Sequence, residues 1–257
     1  MSVTLQNLRT LSHELRLFGI HQGLERRSAE ALGQSQPPLE YLRLVLEDEK
    51  LSRRERSAKM LTTRAKFRSE AMFEDWDHSY DRGLSKVQFK ELATLSFFAG
   101  KENVLLFGST GTGKTHLAIA LGKKFCAENI SVLFFSVNFF FEECRAEKAS
   151  GNYLKWVKRL KHVAVLILDD FGLRNYSHEE ATVLLDLLEE RYRHGIVILT
   201  SQVEVAGWRK LFEDPVIAEA ITDRIQNPAR KYPLKGPSYR DRLKNALSRS
   251  TKESTSS

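Results

Sequence analysis

Cysteine is nearly absent from this 257-residue chain: Cys126 and Cys144 are the only two, and they lack C-x-x-C spacing. Two buried, reduced thiols are therefore expected, rather than a disulfide or a metal site. Long apolar runs are missing as well. None approaches the ~20 residues that a membrane-spanning helix needs, and the N-terminus lacks the apolar core of a secretory signal. The expectation is a cytoplasmic protein with no membrane partner. The length suits one ordinary α/β domain with a small extra one beside it.

Acidic residues are scarce in two places. Lys50 to Arg68 carries eight basic residues against Glu55 alone, and Arg224 to the C-terminus carries nine against Asp241 and Glu253. Concentrated positive charge in a chain of net charge +7 points to a polyanionic partner, nucleic acid first. No base-reading motif such as a zinc finger accompanies it, so phosphate contacts with little sequence preference are expected. Arg53, Arg54, Arg56 and Lys59 are the first candidates for those contacts, and Lys155, Lys158 and Arg159 the second. A charge run of this kind also arises simply as the solvated face of a helix.

Against these absences stands one dense motif. Gly108-Ser109-Thr110-Gly111-Thr112-Gly113-Lys114-Thr115 follows the apolar run Asn103–Phe107 and leads through His116 into Leu117–Leu121. Strand, glycine loop and helix are the context that a G-x-x-x-x-G-K-[ST] match requires. Glycines let backbone N–H groups turn inward around phosphate oxygens, and the helix start adds the positive end of its dipole. Lys114 would reach the β- and γ-phosphates, and the Thr115 hydroxyl would ligate Mg²⁺.

Leu5, Leu8, Leu11, Leu15 and Phe18 recur at helical spacing, with Gly19 as a stop. Pro37-Pro38 opens a helix with Leu39, Leu42 and Leu46 on one face, and Leu51, Ala58, Leu61, Ala65 and Met72 continue the stripe. A small helical domain over 1–68 follows. Composition then turns acidic and aromatic from Glu70 to Asp81, a boundary segment expected to pack on the next domain, over 69–247. A helix near Val87–Phe98 precedes the loop strand. Further strands are expected at Ser131–Val137, Val165–Asp170, Ile196–Thr200 and Arg230–Leu234, with Asn138 and Ser177 as helix caps. Strands alternating with helices predict a parallel sheet covered on both faces. Residues 248–257, rich in Ser and Thr, are expected to be disordered.

Ligands of open parallel sheets bind at the carboxyl ends of the strands. There Val165–Leu168 runs into Asp169, which would hold Mg²⁺, and Asp170, which would orient an attacking water. Asp is also an ordinary turn residue at a strand end, an alternative that the position after four large apolar residues and downstream of the glycine loop disfavours. Thr200-Ser201-Gln202 closes the next strand with polar groups placed to sense a γ-phosphate.

These blocks resemble a known family. GSTGTGKTHLA at Gly108–Ala118, VLILDDFGL at Val165–Leu173 and ILTSQ at Ile198–Gln202 look like the IstB/DnaC-like branch of the AAA+ ATPases. DPVIAEAITDRI at Asp214–Ile225 and LKGPSYR at Leu234–Arg240 are similar too, and they bring the likeness nearest to IstB, the helper of an insertion-sequence transposase. The resemblance implies an AAA+ P-loop fold with a five-stranded parallel sheet behind a small helical N-terminal domain. It further implies ATP and Mg²⁺ as cofactors, with Thr115 and Asp169 on the metal. Lys114, Asp170, Thr200 (or Ser201), Arg224 as an arginine finger reaching a neighbouring subunit, and Arg240 as sensor two would do the chemistry. ATP-promoted homo-oligomers on duplex DNA, acting with a cognate transposase, are the implied partners. Asp170 stands where most AAA+ proteins carry Glu, which implies slow hydrolysis stimulated by DNA or a partner. A DnaC-type helicase loader, a small-molecule kinase and a non-hydrolysing nucleotide-binding scaffold are the alternatives.

Overall fold

The computed structural model describes residues 4–192, 194–239 and 241–242. Its contacts divide the chain into two units, Met1–Leu61 and Thr62–Ser257. Arg240 and the 248–257 tail lie outside the described residues.

The first unit is helical. α1 (Leu5–Glu14) starts at Thr4, whose hydroxyl accepts the Asn7 N–H at 3.2 Å. Gly19, expected to stop this helix, instead sits in the first turn of α2 (Phe18–Gly33). A Cβ there would lie 2.4 Å from the Asp48 carbonyl oxygen, so the glycine serves a close helix crossing rather than a termination. The crossing partner is α3 (Pro38–Ala65), a single helix of 28 residues whose last residues belong to the second unit. Buried Glu49 on α3 accepts the backbone N–H groups of Gly19 at 2.7 Å and Ile20 at 3.3 Å, capping α2 from another helix. Burial pushes its carboxyl up, but Arg53 and these two amides more than offset that and hold it below the usual range. Along the apolar stripe Leu39, Leu42, Leu46 and Leu51 are exposed and Ala65 is buried, whereas Val45 and Glu49, off the stripe, are buried. Helical periodicity marks a face without saying which face a neighbour covers.

In the second unit, α4 (Lys86–Thr94) opens with a capping box from Ser85 and Gln88. The helix expected to run to Phe98 breaks at Leu95, which is left-handed (φ 55°), before the short α5 (Ser96–Ala99). Then come β1 (Asn103–Gly108), α6 (Lys114–Ala127), β2 (Val132–Ser136), α7 (Val137–Ala149), α8 (Tyr153–His162) and β3 (Val165–Phe171). α9 (His178–Arg191), β4 (Ile196–Ser201), a 3₁₀ turn (Val205–Leu211), α10 (Pro215–Gln226) and β5 (Ala229–Leu234) complete it. Ser136, not Asn138, takes the N-cap position of α7; the Asn138 side chain accepts from Arg174 instead, at 2.9 Å. Ser177 and Glu180 form the expected capping box on α9, and Asp214 caps α10 with Pro215 in its first turn.

All five strands are parallel, in the order β2-β3-β4-β1-β5. Alternation sorts their side chains. Leu105, Leu133, Phe135, Leu166, Leu168, Val197 and Leu199 join one core with residues of α7 to α10, and the opposite face packs on α6. Cys126 and Cys144 are free and buried, and burial pushes both thiols up. Among the described residues, no helix is long and apolar enough to cross a membrane.

The acidic segment ahead of α4 packs on this unit, as its composition suggested. Trp76 is buried against Phe89, and the Arg82 guanidinium lies 3.3 Å from the Trp76 ring centroid.

Candidate active site

The strand order decides what meets at the carboxyl edge. β4 lies between β1 and β3, so Thr200, paired with Leu106 in register, stands between the glycine loop and the two acids. Thr115, in the first turn of α6, donates its hydroxyl to Asp169 Oδ1 at 2.8 Å. Thr200 donates to the same oxygen at 2.6 Å and accepts the Asp170 N–H at 2.9 Å. Asp169 is fully buried, whereas the Asp170 side chain keeps 30% of its exposure.

Asp170 takes a left-handed backbone (φ 63°), and the β3–β4 register shifts between Leu168 and Phe171. A bulge at a strand end re-aims side chains: Asp169 turns into the sheet edge and Asp170 outward. Burial pushes the Asp169 carboxyl above the ordinary range. The Thr200 hydroxyl pulls it back, Asp170 raises it again, and Arg68 and Thr115 lower it. A carboxylate so placed holds its charge best with a cation beside it.

The loop is shaped by close approach. Gly108 (φ 142°) passes so near β5 that a Cβ would fall 1.9 Å from the Leu234 carbonyl oxygen. Lys114 Nζ donates to the Gly108 and Ser109 carbonyls, each at 2.7 Å, so the ammonium lies within the loop. Thr112 is buried and donates to the Ser109 carbonyl, and Thr110 donates to Gln202 Oε1 at 2.6 Å, tying the loop to the end of β4. Tyr239 N donates to the Gly111 carbonyl at 3.0 Å, which brings the 235–239 segment onto the loop. The His116 ring sits at 3.0 Å from the Met72 carbonyl, and so faces the acidic segment. Ser201 hydrogen-bonds Phe171 and Val203, so of these two β4 hydroxyls it is Thr200 that meets the acids. Such an arrangement can cradle a polyanion on backbone amides and hold a divalent cation between a hydroxyl and a buried carboxylate.

Not every expected residue gathers here. Arg224 lies at the other end of the sheet, where Asn103, the first residue of β1, donates to the Arg224 and Ile225 carbonyls. Its guanidinium pairs with Glu189 at 2.8 Å and Asp223 at 3.2 Å, and lines a cleft of about 370 Å³ with Lys101, Arg191 and Tyr192. A six-residue strand separates the two ends by ~20 Å, so Arg224 cannot serve this chain's own loop. Of the basic candidates, Arg53 and Arg56 both approach the buried Glu49 carboxylate, and Arg159 pairs with Glu143. Arg54, Lys59, Lys155 and Lys158 are exposed on α3 and α8.

Two residues at the site had no distinguishing local signal. Arg68 is one of a basic run in the sequence, yet its guanidinium lies on Asp169 and Asp170. Arg82, between Trp76 and Tyr239, stands beside Gly113, where a Cβ would meet it at 3.0 Å. Neither has a sequence neighbour that marks it.

A family model described as IstB-like ATP binding protein matches residues 10–247. A protein of Sinorhizobium fredii named as an insertion-sequence ATP-binding protein is 33% identical, covering 92% of this chain and 95% of its own. One of Mycobacterium tuberculosis with a similar name is 34% identical over 94% and 97%. Among solved structures, DnaI aligns with a TM-score of 0.53 at 26% identity, over 66% of this chain and 90% of that one. The DnaC helicase loader aligns at 0.52 and 21%, over 64% and 97%, a likeness of fold.

Proposed function

Since the chain belongs to the IstB-like ATP-binding family of insertion sequences, we propose that it is an ATP-dependent helper of transposition, assembling on duplex DNA and engaging a cognate transposase. The carrying observation is the hydrogen-bond chain Thr115–Asp169–Thr200–Asp170, set beside a phosphate loop.

In this proposal the loop amides of Ser109–Thr115 hold the triphosphate, and Lys114 leaves the loop carbonyls for its outer phosphates. Thr115 and Asp169 would hold Mg²⁺, which neutralises charge developing on the phosphates. Their fit to a divalent cation rests on the paired hydroxyl and buried carboxylate, on which a cationic side chain already lies. Asp170 orients the attacking water. Thr200 holds the Asp170 backbone and the Asp169 carboxylate in one register, so the two acids move together. An Asp reaches one methylene less far than a Glu, which suits slow turnover that DNA or a partner accelerates.

Arg224, remote from its own loop, would complete a neighbouring subunit's site, and ATP would then act as an assembly switch. Arg240 keeps the sensor role that the family pattern assigns it. Arg53, Arg54, Arg56 and Lys59, with Lys155, Lys158 and Arg159, would contact phosphates of the duplex.

Mass photometry and gel shifts with no nucleotide, ADP and a slowly hydrolysed ATP analogue test the proposal. The expected result is multimers on duplex DNA only with the analogue, lost in Arg224→Ala. Nucleotide binding without assembly or duplex affinity, or preference for single strands, overturns it in favour of a loader.

A further inference from the structure

The acidic strand end is already partnered by a cation from outside the motif blocks. Arg68 Nη2 donates to Asp169 Oδ2, to Asp170 Oδ2 at 3.1 Å, and stands 3.5 Å from the Thr115 hydroxyl. One nitrogen thus meets three oxygens, and two of their groups, Thr115 and Asp169, are the pair that would hold the metal. The guanidinium also lies 5.7 Å from the Phe134 ring centroid, which gives its other face an aromatic support.

The segment that carries it is packed, while the side chain reaches the acids from a half-exposed position. Phe67 packs edge-on to Phe134 at 6.1 Å and fills the space beside Gly122 of α6, where a Cβ would meet its ring at 2.6 Å. Arg68 itself is 45% exposed, against none for Asp169. An anchored backbone with a half-exposed cation can release the carboxylates toward solvent without unpacking anything. Two neighbouring carboxylates, one fully buried, repel each other unless a positive charge lies between them. The Arg68 guanidinium lies between them and supplies that charge.

We propose that Arg68 is a tethered counter-cation for Asp169 and Asp170, exchanged for the metal when a metal–nucleotide binds, so that it sets the magnesium dependence of nucleotide binding. The proposal rests on the nucleotide-site reading above. It makes two demands. Magnesium must compete with Arg68 for Asp169, so removing the guanidinium strengthens metal binding. Without metal, the guanidinium shields the acids from the incoming triphosphate, so removing it weakens metal-free binding.

The test uses the full chain, a fluorescent ATP analogue and a magnesium titration, comparing wild type, Arg68→Ala and Arg68→Lys. Affinity is also read in EDTA, and thermal shift is read with magnesium alone. For Arg68→Ala, the half-saturating magnesium concentration is expected to fall about tenfold, the change that follows removal of one charge-assisted hydrogen bond. The ratio of EDTA to magnesium dissociation constants should grow about as much, with Arg68→Lys in between. Magnesium alone should raise the melting temperature of Arg68→Ala more than that of wild type. Unchanged ratios and magnesium midpoints in both variants, with nucleotide binding intact, overturn the Arg68 proposal alone. Wild type that binds no nucleotide overturns the nucleotide-site reading and this proposal with it.

Discussion

Thr200→Val tests the site's central connection with almost no change in shape. Thr200 is fully buried, and its hydroxyl makes two bonds, to the Asp169 carboxylate at 2.6 Å and from the Asp170 N–H at 2.9 Å. Losing a hydrogen bond to a charged acceptor costs about 1.5–3 kcal/mol, and leaving a partly buried N–H unpaired costs about 1–3 kcal/mol. Both are lost with the one hydroxyl, so the sum is about 2.5–6 kcal/mol, a large part of a domain stability of about 5–15 kcal/mol. Thr200→Ser keeps the hydroxyl and removes one methyl, at about 1 kcal/mol. The chain has two units, so a whole-molecule signal would mix transitions. The three tryptophans, Trp76, Trp156 and Trp208, all belong to the second unit, and urea unfolding followed by their fluorescence isolates it. Thr200→Val should lower the midpoint with an unchanged slope, and Thr200→Ser should stay near wild type. A valine variant within about 1 kcal/mol of wild type would refute the claim that this hydroxyl holds the acids in place.

Two further outcomes follow from the geometry. Gly108→Ala pushes a methyl into the Leu234 carbonyl at 1.9 Å, so nucleotide affinity should fall at least about a hundredfold, by equilibrium titration with a fluorescent nucleotide; near wild-type affinity would mean the loop does not need that approach. Replacing Arg53, Arg54, Arg56 and Lys59 with Gln should reduce the slope of log affinity against log salt by about 0.9 for each DNA phosphate that is no longer neutralised. Glutamine is chosen because a carboxylate at Arg53 or Arg56 would confront buried Glu49. An unchanged slope removes these residues from the duplex interface.

Local signals carried much of the fold. The strands at Val132–Ser136, Val165–Phe171 and Ile196–Ser201 each open with four buried apolar residues, which composition alone identifies. Ser177–Glu180 and Asp214-Pro215 mark helix starts because capping is a contact among near neighbours. Gly19 misled for the opposite reason. A glycine ahead of a polar stretch looks like a stop, but its role comes from Asp48, 29 residues away. The leucines of α3 mark a face, but periodicity cannot say which face a neighbour covers.

By itself, the order of residues determined the glycine loop after β1, the acids near the end of β3, and the alternation that requires a parallel sheet. Each depends on contacts within a few residues, where covalent geometry and side-chain type leave little choice. Tertiary structure alone decided that β4 lies between β1 and β3. That order puts Thr200 on both acids. It also brought Arg68 onto Asp169 across 101 positions of chain. Contacts of that span are chosen by the packing of whole elements, and a single residue leaves no local trace of them.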